Sequence, residues 1–176
     1  MQSFVKLIAL AAGAALAGPA WADLDQEIYH IQLKLNAIGY DTGKPDGVAG
    51  RKTREAIGAA AGQFGFAPTP EGLIEYFTTE ALKARVALEP GPEMDAVKAG
   101  VGNHLKDPFS AEYKDVYRLP SGKVCGLVNG KNAFGAYAGW TPFMTLPMNM
   151  SWGYSPGIAV LDGETGMAFY HCMLDL

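Results

Sequence analysis

The fold of the first half of the chain is decided by residues 32–57, which read QLKLNAIGYDTGKPDGVAGRKTREAI. Upstream of Gly39, apolar residues recur in steps of four and three, which places them on one face of a helix. They are Leu24, Ile28, Ile31, Leu35 and Ile38. Gly39 ends this helix, because glycine readily takes the left-handed conformation that closes a helix. A second short helix is predicted over residues 51–61.

Between these two helices lie the residue types of a tight turn. Asp46-Gly47 suits a turn that needs a positive backbone dihedral. Gly50 lets the backbone turn closely into the second helix, and Thr53 can satisfy free amides in its first turn. These roles predict a structural motif made of Asp46, Gly47, Gly50 and Thr53.

A third helix is predicted to open at Thr69-Pro70, where a hydroxyl cap precedes a proline at the first helical position. Its apolar face is predicted to bury Leu73, Ile74, Phe77 and Ala81. Three helices in this order predict a compact helical domain over residues 23–86.

The order of helix, Gly39-Tyr40, Asp46-Gly47 and Gly50-x-x-Thr53 resembles the peptidoglycan-binding-like domain of many exported cell-wall proteins. The resemblance covers about residues 25–61. It implies a three-helix module that holds a protein near peptidoglycan, contacting sugar or peptide through polar and aromatic groups near the loop. The candidate ligand-binding residues are Gln32, Tyr40, Arg51 and Arg54.

The chain departs from this family at two places. Ala60-Ala61 replaces an aromatic residue followed by Gln at the end of the second helix, and residues 68–72 replace a second Asp-Gly and Thr repeat. An alternative interpretation is therefore a module that is retained for structure or for protein contacts.

Composition excludes several classes of protein. The chain has 176 residues, of which 49% are hydrophobic and 18% charged, and its net charge is −4. A disordered acidic tail, a collagen, a coiled coil or a disulfide-dense miniprotein would each need a very different composition. Nucleic acid is not an expected partner, since phosphate neutralisation requires clustered Lys and Arg.

The first 22 residues have the pattern of a secretory signal peptide. Lys6 precedes an apolar run over residues 7–18 that is too short to span a bilayer, and small residues surround the predicted cleavage site after Ala22. We therefore expect a periplasmic or secreted protein, with no membrane span in the mature chain. Because Lys6 is the only charged residue removed, the net charge changes from −4 to −5.

Residues 87–92 are the predicted linker, because two prolines flank a glycine within them. Residues 93–176 are predicted to form one helix that packs on an antiparallel sheet. The predicted fold class is therefore α+β, with a three-helix domain first. The predicted strands are Tyr113–Leu119, Lys123–Asn129, Phe143–Trp152, Gly157–Leu161 and Met167–Leu174.

The chain has two cysteines, Cys125 and Cys172, and export would place both in an oxidising compartment. A disulfide between them is the favoured interpretation. The sequence of residues 96–143 resembles a group of small, uncharacterised exported bacterial proteins, which implies export but no activity. A cysteine nucleophile at Cys125 is disfavoured, because the glycine-rich residues after it would make a poor helix.

The last 45 residues combine eight aromatic residues with no Lys or Arg. Three of these aromatic residues, Phe143, Trp152 and Phe169, are expected to form the core. The methionines of this region are likewise interpreted as packing residues rather than as copper ligands. Three aromatic residues in predicted loops are further candidate ligand contacts, namely Tyr137, Trp140 and Tyr154.

Together these patterns predict a non-catalytic exported protein that associates with peptidoglycan through its first domain. The alternative is a periplasmic protein-interaction module, for example an inhibitor of a wall-degrading enzyme, that uses the aromatic loops to bind another envelope protein. No catalytic residue, metal site or cofactor is expected, because no nucleophile, paired carboxylates or zinc-ligand spacing stands out.

Overall fold

The computed structural model of the chain describes residues 25–151, 153–161 and 166–176. The predicted signal peptide, residues 1–22, and the predicted core residue Trp152 lie outside the described residues. Among the residues that are described, no helix is both long and apolar enough to cross a membrane.

The first half consists of three helices, α1 (Gln26–Ala37), α2 (Arg51–Phe64) and α3 (Pro70–Ala84). Each prediction of a helix is confirmed, although α2 runs three residues further than expected. Thr69 caps α3 as predicted, because its hydroxyl accepts a hydrogen bond of 3.1 Å from the Gly72 amide. The shared core comprises Ile28, Ile31, Leu35, Ala56, Ile57, Ala60 and Leu73, all buried.

The second half is an antiparallel sheet with one helix lying across it. The strands are β1 (Val86–Ala87), β2 (Asp107–Arg118), β3 (Val124–Lys131), β4 (Thr141–Met150) and β5 (Gly153–Leu161), and they lie side by side in that order. The helix is α4 (Pro92–Gly102), which packs chiefly on β5. The α+β class and the helix-then-sheet order are confirmed.

The core of the second half forms between α4 and the sheet. Val97 and Val101 of α4 meet Val124, Val128 and Phe143, each at most 1% exposed. Gly126 lies opposite Phe143 in the strand register. A Cβ atom on Gly126 would lie only 2.8 Å from Cζ of Phe143, so glycine is what allows this ring to pack against β3.

The predicted last strand, Met167–Leu174, is wrong. These residues form helix α5 (Met167–Met173), with Ala168 and Cys172 buried four residues apart on one face. A segment of seven residues is too short to separate helical from strand periodicity, and Met and Ala are good helix formers. The helix also leaves Phe169, a predicted core residue, 46% exposed.

Helix α5 joins the two halves. Its Cys172 is bonded to Cys125 of β3 with a Cα–Cα distance of 6.0 Å, which confirms the predicted disulfide. Two residues later, Leu174 is fully buried in the core of the three helices. Residues 87–92, predicted as a linker, contain the end of β1 and the first residue of α4.

The chain segment after α5 is also held by the turn between β2 and β3. The buried ammonium of Lys123 donates to the carbonyl oxygen of Leu176, and the hydroxyl of Ser121 donates to the carboxylate of Asp175. Burial lowers the pKa of Lys123, and the nearby Asp175 partly offsets this effect. These contacts keep Leu174 seated among the helices.

We expect the Cys125→Ala/Cys172→Ala variant to lose about 2 to 4 kcal/mol of unfolding free energy, because the bridge closes a loop between residues 47 apart. Urea unfolding followed by circular dichroism measures the loss. The control is wild-type protein unfolded with and without a thiol reductant, which should reproduce the difference. Equal unfolding free energies of the variant and the oxidised wild type would show that the disulfide does not stabilise the fold.

We expect stability to fall as pH falls below about 6.5, in a manner that depends on His171. Burial lowers the pKa of His171, and the neighbouring His30, whose ring centroid lies 5.5 Å away, and Lys123 lower it further. A backbone hydrogen bond with Leu176 acts in the opposite direction. Below the ordinary His pKa the unfolded chain thus binds more protons than the folded chain, and unfolding is favoured.

The measurement is the urea midpoint of His171→Gln at about pH 5 and pH 7, compared with the matched variant His104→Gln, whose side chain is exposed. The His171 variant should lose much of the pH dependence, and the His104 variant should keep it. The same pH dependence in both variants would contradict the assignment.

Candidate functional site

The loop between α1 and α2 is organised by one buried side chain, Gln32. Its amide oxygen accepts hydrogen bonds from the backbone amides of Asp46 (2.8 Å) and Gly47 (3.0 Å). Its amide nitrogen lies within hydrogen-bonding distance of the Asp46 carboxylate (2.9 Å), the Val48 carbonyl (3.1 Å) and the Thr53 hydroxyl (3.1 Å). Both ends of the Gln32 amide are therefore occupied within the protein, and the side chain is only 1% exposed.

The predicted structural motif lies around this glutamine. Gly47 has φ of +71°, as the Asp46-Gly47 turn requires. The Asp46 carboxylate also accepts from the Val48 amide at 2.9 Å. Hydrogen bonds from Gln32 and then from Val48 lower the pKa of Asp46, so the carboxylate stays ionised.

Two of the predicted roles differ in the structure. Thr53 does not cap helical amides; its buried hydroxyl meets Gln32 and the Val48 carbonyl instead. Gly50 is the N-cap residue of α2 but has an ordinary φ of −70°, and a Cβ there would meet no atom closer than 4.0 Å. Thr53 is thus a partner of Gln32, and Gly50 is not required by conformation or space.

Arg51 and Arg54 lie on the surface beside this loop. We refer to the four exposed basic residues of this stretch, Lys44, Arg51, Lys52 and Arg54, as the basic face. Lys52 pairs with Asp41 at 3.0 Å. Arg51 pairs with Glu55 at 2.9 Å, and its side chain is 78% exposed. Arg54 donates to the carbonyl of Ala49. Exposed ion pairs of this kind are weak, so the guanidinium groups can exchange them for a ligand carboxylate.

Tyr40 lies away from the basic face, at the other end of α2. Its hydroxyl donates to Gln63 at 2.6 Å, and its ring contacts Phe64. Twelve residues of helix separate Arg51 from Gln63, which corresponds to roughly 18 Å. The structure therefore brings Gln32, Arg51 and Arg54 to one end of the helical half and Tyr40 to another.

A cleft of about 330 Å³ on α3 is a feature that the sequence patterns did not reveal. It is lined by Phe66, Ala67, Gly72, Glu75, Tyr76, Thr79, Glu80 and Lys83. The aromatic rings of Phe66 and Tyr76 lie 5.5 Å apart, and Lys83 pairs with Glu80 at 2.8 Å. The sequence did carry a signal for this cleft, because the residues of α3 that line it recur every three or four positions and so share one face of the helix.

Tyr137 and Trp140 lie in the loop between β3 and β4, as predicted, and are 45% and 44% exposed. Tyr154 does not lie in a loop; it belongs to β5, opposite Asn149 of β4. Asn149 lies eight residues along β4 from Thr141, the residue that follows Trp140. Eight residues of a strand correspond to roughly 27 Å. Tyr154 instead lines a cleft with residues of β1 and with Arg118.

The remaining reactive side chains are engaged in packing. Both cysteines are in the disulfide, so neither presents a thiol. His30 is 2% exposed and its ring stacks on Tyr170 with centroids 4.7 Å apart. Within residues 25–151, 153–161 and 166–176, no three His, Cys, Asp or Glu side chains are grouped so as to hold a metal ion.

Comparison with known proteins finds a family match in the helical half. No curated protein and no solved structure matches the chain. Accordingly, the resemblance of residues 96–143 to small exported proteins has no counterpart among these comparisons. Residues 25–82, which hold α1, α2 and nearly all of α3, match the family model described as "Putative peptidoglycan binding domain".

Proposed function

We propose that this is an exported, non-catalytic protein that attaches to the peptidoglycan of the cell wall through its helical half. The observation that carries the proposal is the match of residues 25–82 to the peptidoglycan-binding family, which extends over all three helices. The Gln32 network supports it, since it holds the loop of that family's motif in a single conformation beside the basic face.

The basic face offers the chemistry for the contact. Peptidoglycan carries free carboxylates on its peptide stems, and a guanidinium group binds a carboxylate through two parallel hydrogen bonds. Arg51 and Arg54 lie one turn apart at the start of α2, where the helix dipole also favours an anion. We assign the peptide stems to Arg51 and Arg54.

Export is supported by two features of different kind. Residues 1–22 have the pattern of a signal peptide, and the disulfide between Cys125 and Cys172 is typical of proteins that fold in an oxidising compartment. The proposed location is therefore the periplasm or the exterior, where peptidoglycan is accessible.

We expect the Arg51→Gln/Arg54→Gln variant to bind purified sacculi about tenfold more weakly than wild type, because two charge-assisted contacts are lost. Co-sedimentation at increasing sacculus concentration measures this. The matched control is Lys98→Gln/Lys114→Gln, which removes the same charge from exposed positions of the sheet half and should bind as wild type does.

Failure of the wild-type protein to pellet with sacculi would overturn the proposed function. Full binding by the arginine variant would overturn only the assignment to the basic face. In that case Thr79→Arg, which fills the cleft on α3, tests the second surface against Ala59→Arg, an equally exposed change on α2.

We expect Gln32→Ala to act on stability, since Gln32 has no free polar atom to offer a ligand. The loss should be about 1 to 3 kcal/mol, because buried amides and the Thr53 hydroxyl lose their partner. Urea unfolding measures it, with Gln63→Ala as the matched control, whose exposed side chain bonds only Tyr40. A similar, small loss of unfolding free energy in both variants would contradict the interpretation that Gln32 holds the loop together.

A further inference from the structure

Residues 167–176 follow the sheet in the chain but pack as part of the helical half. We refer to these residues, which comprise α5 and the three residues after it, as the C-terminal segment. Leu174 is 0% exposed within the core of α1, α2 and α3, and Leu176 packs on the same core. The ring of Tyr170 stacks on His30 of α1 with centroids 4.7 Å apart. The helical half is therefore complete only when the C-terminal segment is in place.

The position of Leu174 depends on the helical state of α5. The amide of Leu174 donates to the carbonyl of Tyr170 at 2.9 Å, and the amide of Leu176 donates to the carbonyl of His171 at 3.2 Å. These bonds turn the residues after α5 back onto its last turn, so Leu174 reaches the core only while α5 is formed. A helix of this length is not stable by itself in water, and the rest of the fold must hold it.

The disulfide is the covalent hold on α5, and it lies where the two halves meet. Cys125 of β3 and Cys172 of α5 are buried in one small cluster with Leu119 and with Ala81 of α3. The core between α4 and the sheet is a separate cluster that contains no residue of α5. Loss of the bond therefore acts on the helical half more than on the sheet.

A cleft gives a reductant access to this bond. The cleft has a volume of about 270 Å³, and both cysteines line it, together with Phe169 and Met173 of α5. Cys172 is 9% exposed and Cys125 is 1% exposed. A thiolate that enters the cleft is therefore expected to attack the bond at Cys172.

We propose that the Cys125–Cys172 disulfide is a redox switch that keeps the helical half competent to bind peptidoglycan while the bond is intact. A dithiol reductant opens the bond, releases the C-terminal segment and weakens attachment to the wall. The inference rests on the proposed function for what is switched, and on the packing of the C-terminal segment for how it is switched.

The chemical step is thiol–disulfide exchange. A thiolate of the dithiol attacks Sγ of Cys172, the bond to Cys125 breaks, and Cys125 leaves as a thiolate that takes up a proton. The second thiol of the reductant then attacks the mixed disulfide and frees Cys172. The reductant is oxidised to a disulfide, and both cysteines of the protein end as thiols.

Opening the bond removes Leu174 from the helical core. The residues after α5 contact the sheet half through polar groups of Lys123 and Ser121, and water can replace such contacts once α5 is no longer tethered. Loss of a buried leucine leaves a cavity and is among the costlier changes to a core. A domain as small as residues 25–84 has little stability to spare. The helical half then opens for part of the time, and the binding surface on it is lost.

The test is co-sedimentation with purified sacculi, using the protein from residue 23 onward before and after treatment with dithiothreitol. Titration of free thiols verifies that the bond is open. We expect the reduced protein to bind about fivefold more weakly than the oxidised protein. The Cys125→Ala/Cys172→Ala variant should bind like the reduced wild type, and dithiothreitol should not change its binding.

Leu174→Ala separates the role of the segment from that of the reductant. This variant keeps the disulfide and should bind sacculi more weakly than wild type without any reductant, because the core loses the same side chain. The matched control is Leu82→Ala, which changes a leucine of α3 that is 41% exposed and should bind as wild type does.

Hydrogen exchange resolved by segment gives a second measurement that does not depend on sacculi. Reduction should raise the exchange of amides in α1, α3 and the C-terminal segment while β2, β3 and β4 stay protected. Unchanged protection of α1 and α3, or equal sacculus binding by the reduced and oxidised proteins, would overturn the proposal. So would a bond that resists excess dithiothreitol without denaturant, or an equal rise of exchange in both halves.

The two measurements distinguish failure of this inference from failure of the proposed function. If oxidised wild type does not pellet with sacculi, wall attachment is wrong, and the exchange of α1 and α3 still shows whether the bond controls the helical half. If oxidised wild type pellets and reduction changes neither binding nor exchange, the switch is wrong and wall attachment stands.

Discussion

The arrangement of the two halves depends on one constraint, the covalent bond between Cys125 of β3 and Cys172 of α5. A seven-residue helix has little stability of its own, because so short a segment cannot repay the entropy of nucleation. The bond holds α5 against the sheet, and Leu174 just beyond it can then fill the core of the three helices. A short segment at the end of the chain thus belongs to both cores.

This constraint determines which surfaces remain for function. The turn between β2 and β3 lies against the helical half, where Lys123 and Ser121 hold the residues after α5. The loop over residues 132–140, between β3 and β4, is therefore left at the opposite end of the sheet.

Much of the helical half was predictable from local residue types. Helix ends follow from Gly39 and from Thr69-Pro70, and the turn follows from Asp46-Gly47, because each of these signals acts within a few residues. The role of Gln32 was not predictable in the same way. A glutamine on a helix resembles a surface residue until the loop folds back over it, and its five hydrogen-bonding contacts join residues 14 to 21 positions apart.

The wrong predictions in the second half likewise concern features that a short segment of sequence does not encode. The segment from Met167 to Met173 was assigned to a strand, and Tyr154 to a loop, because short apolar runs lack a distinctive period.

The amino-acid sequence alone determined the α+β class, the presence and order of the first three helices, the family motif and the pairing of the only two cysteines. These depend on local conformational preference and on composition, which are properties of short segments. Tertiary structure decided that α5 is a helix shared by two cores and that the candidate ligand residues fall into separate groups. Such features arise from contacts between distant segments, and only the folded chain brings those segments together.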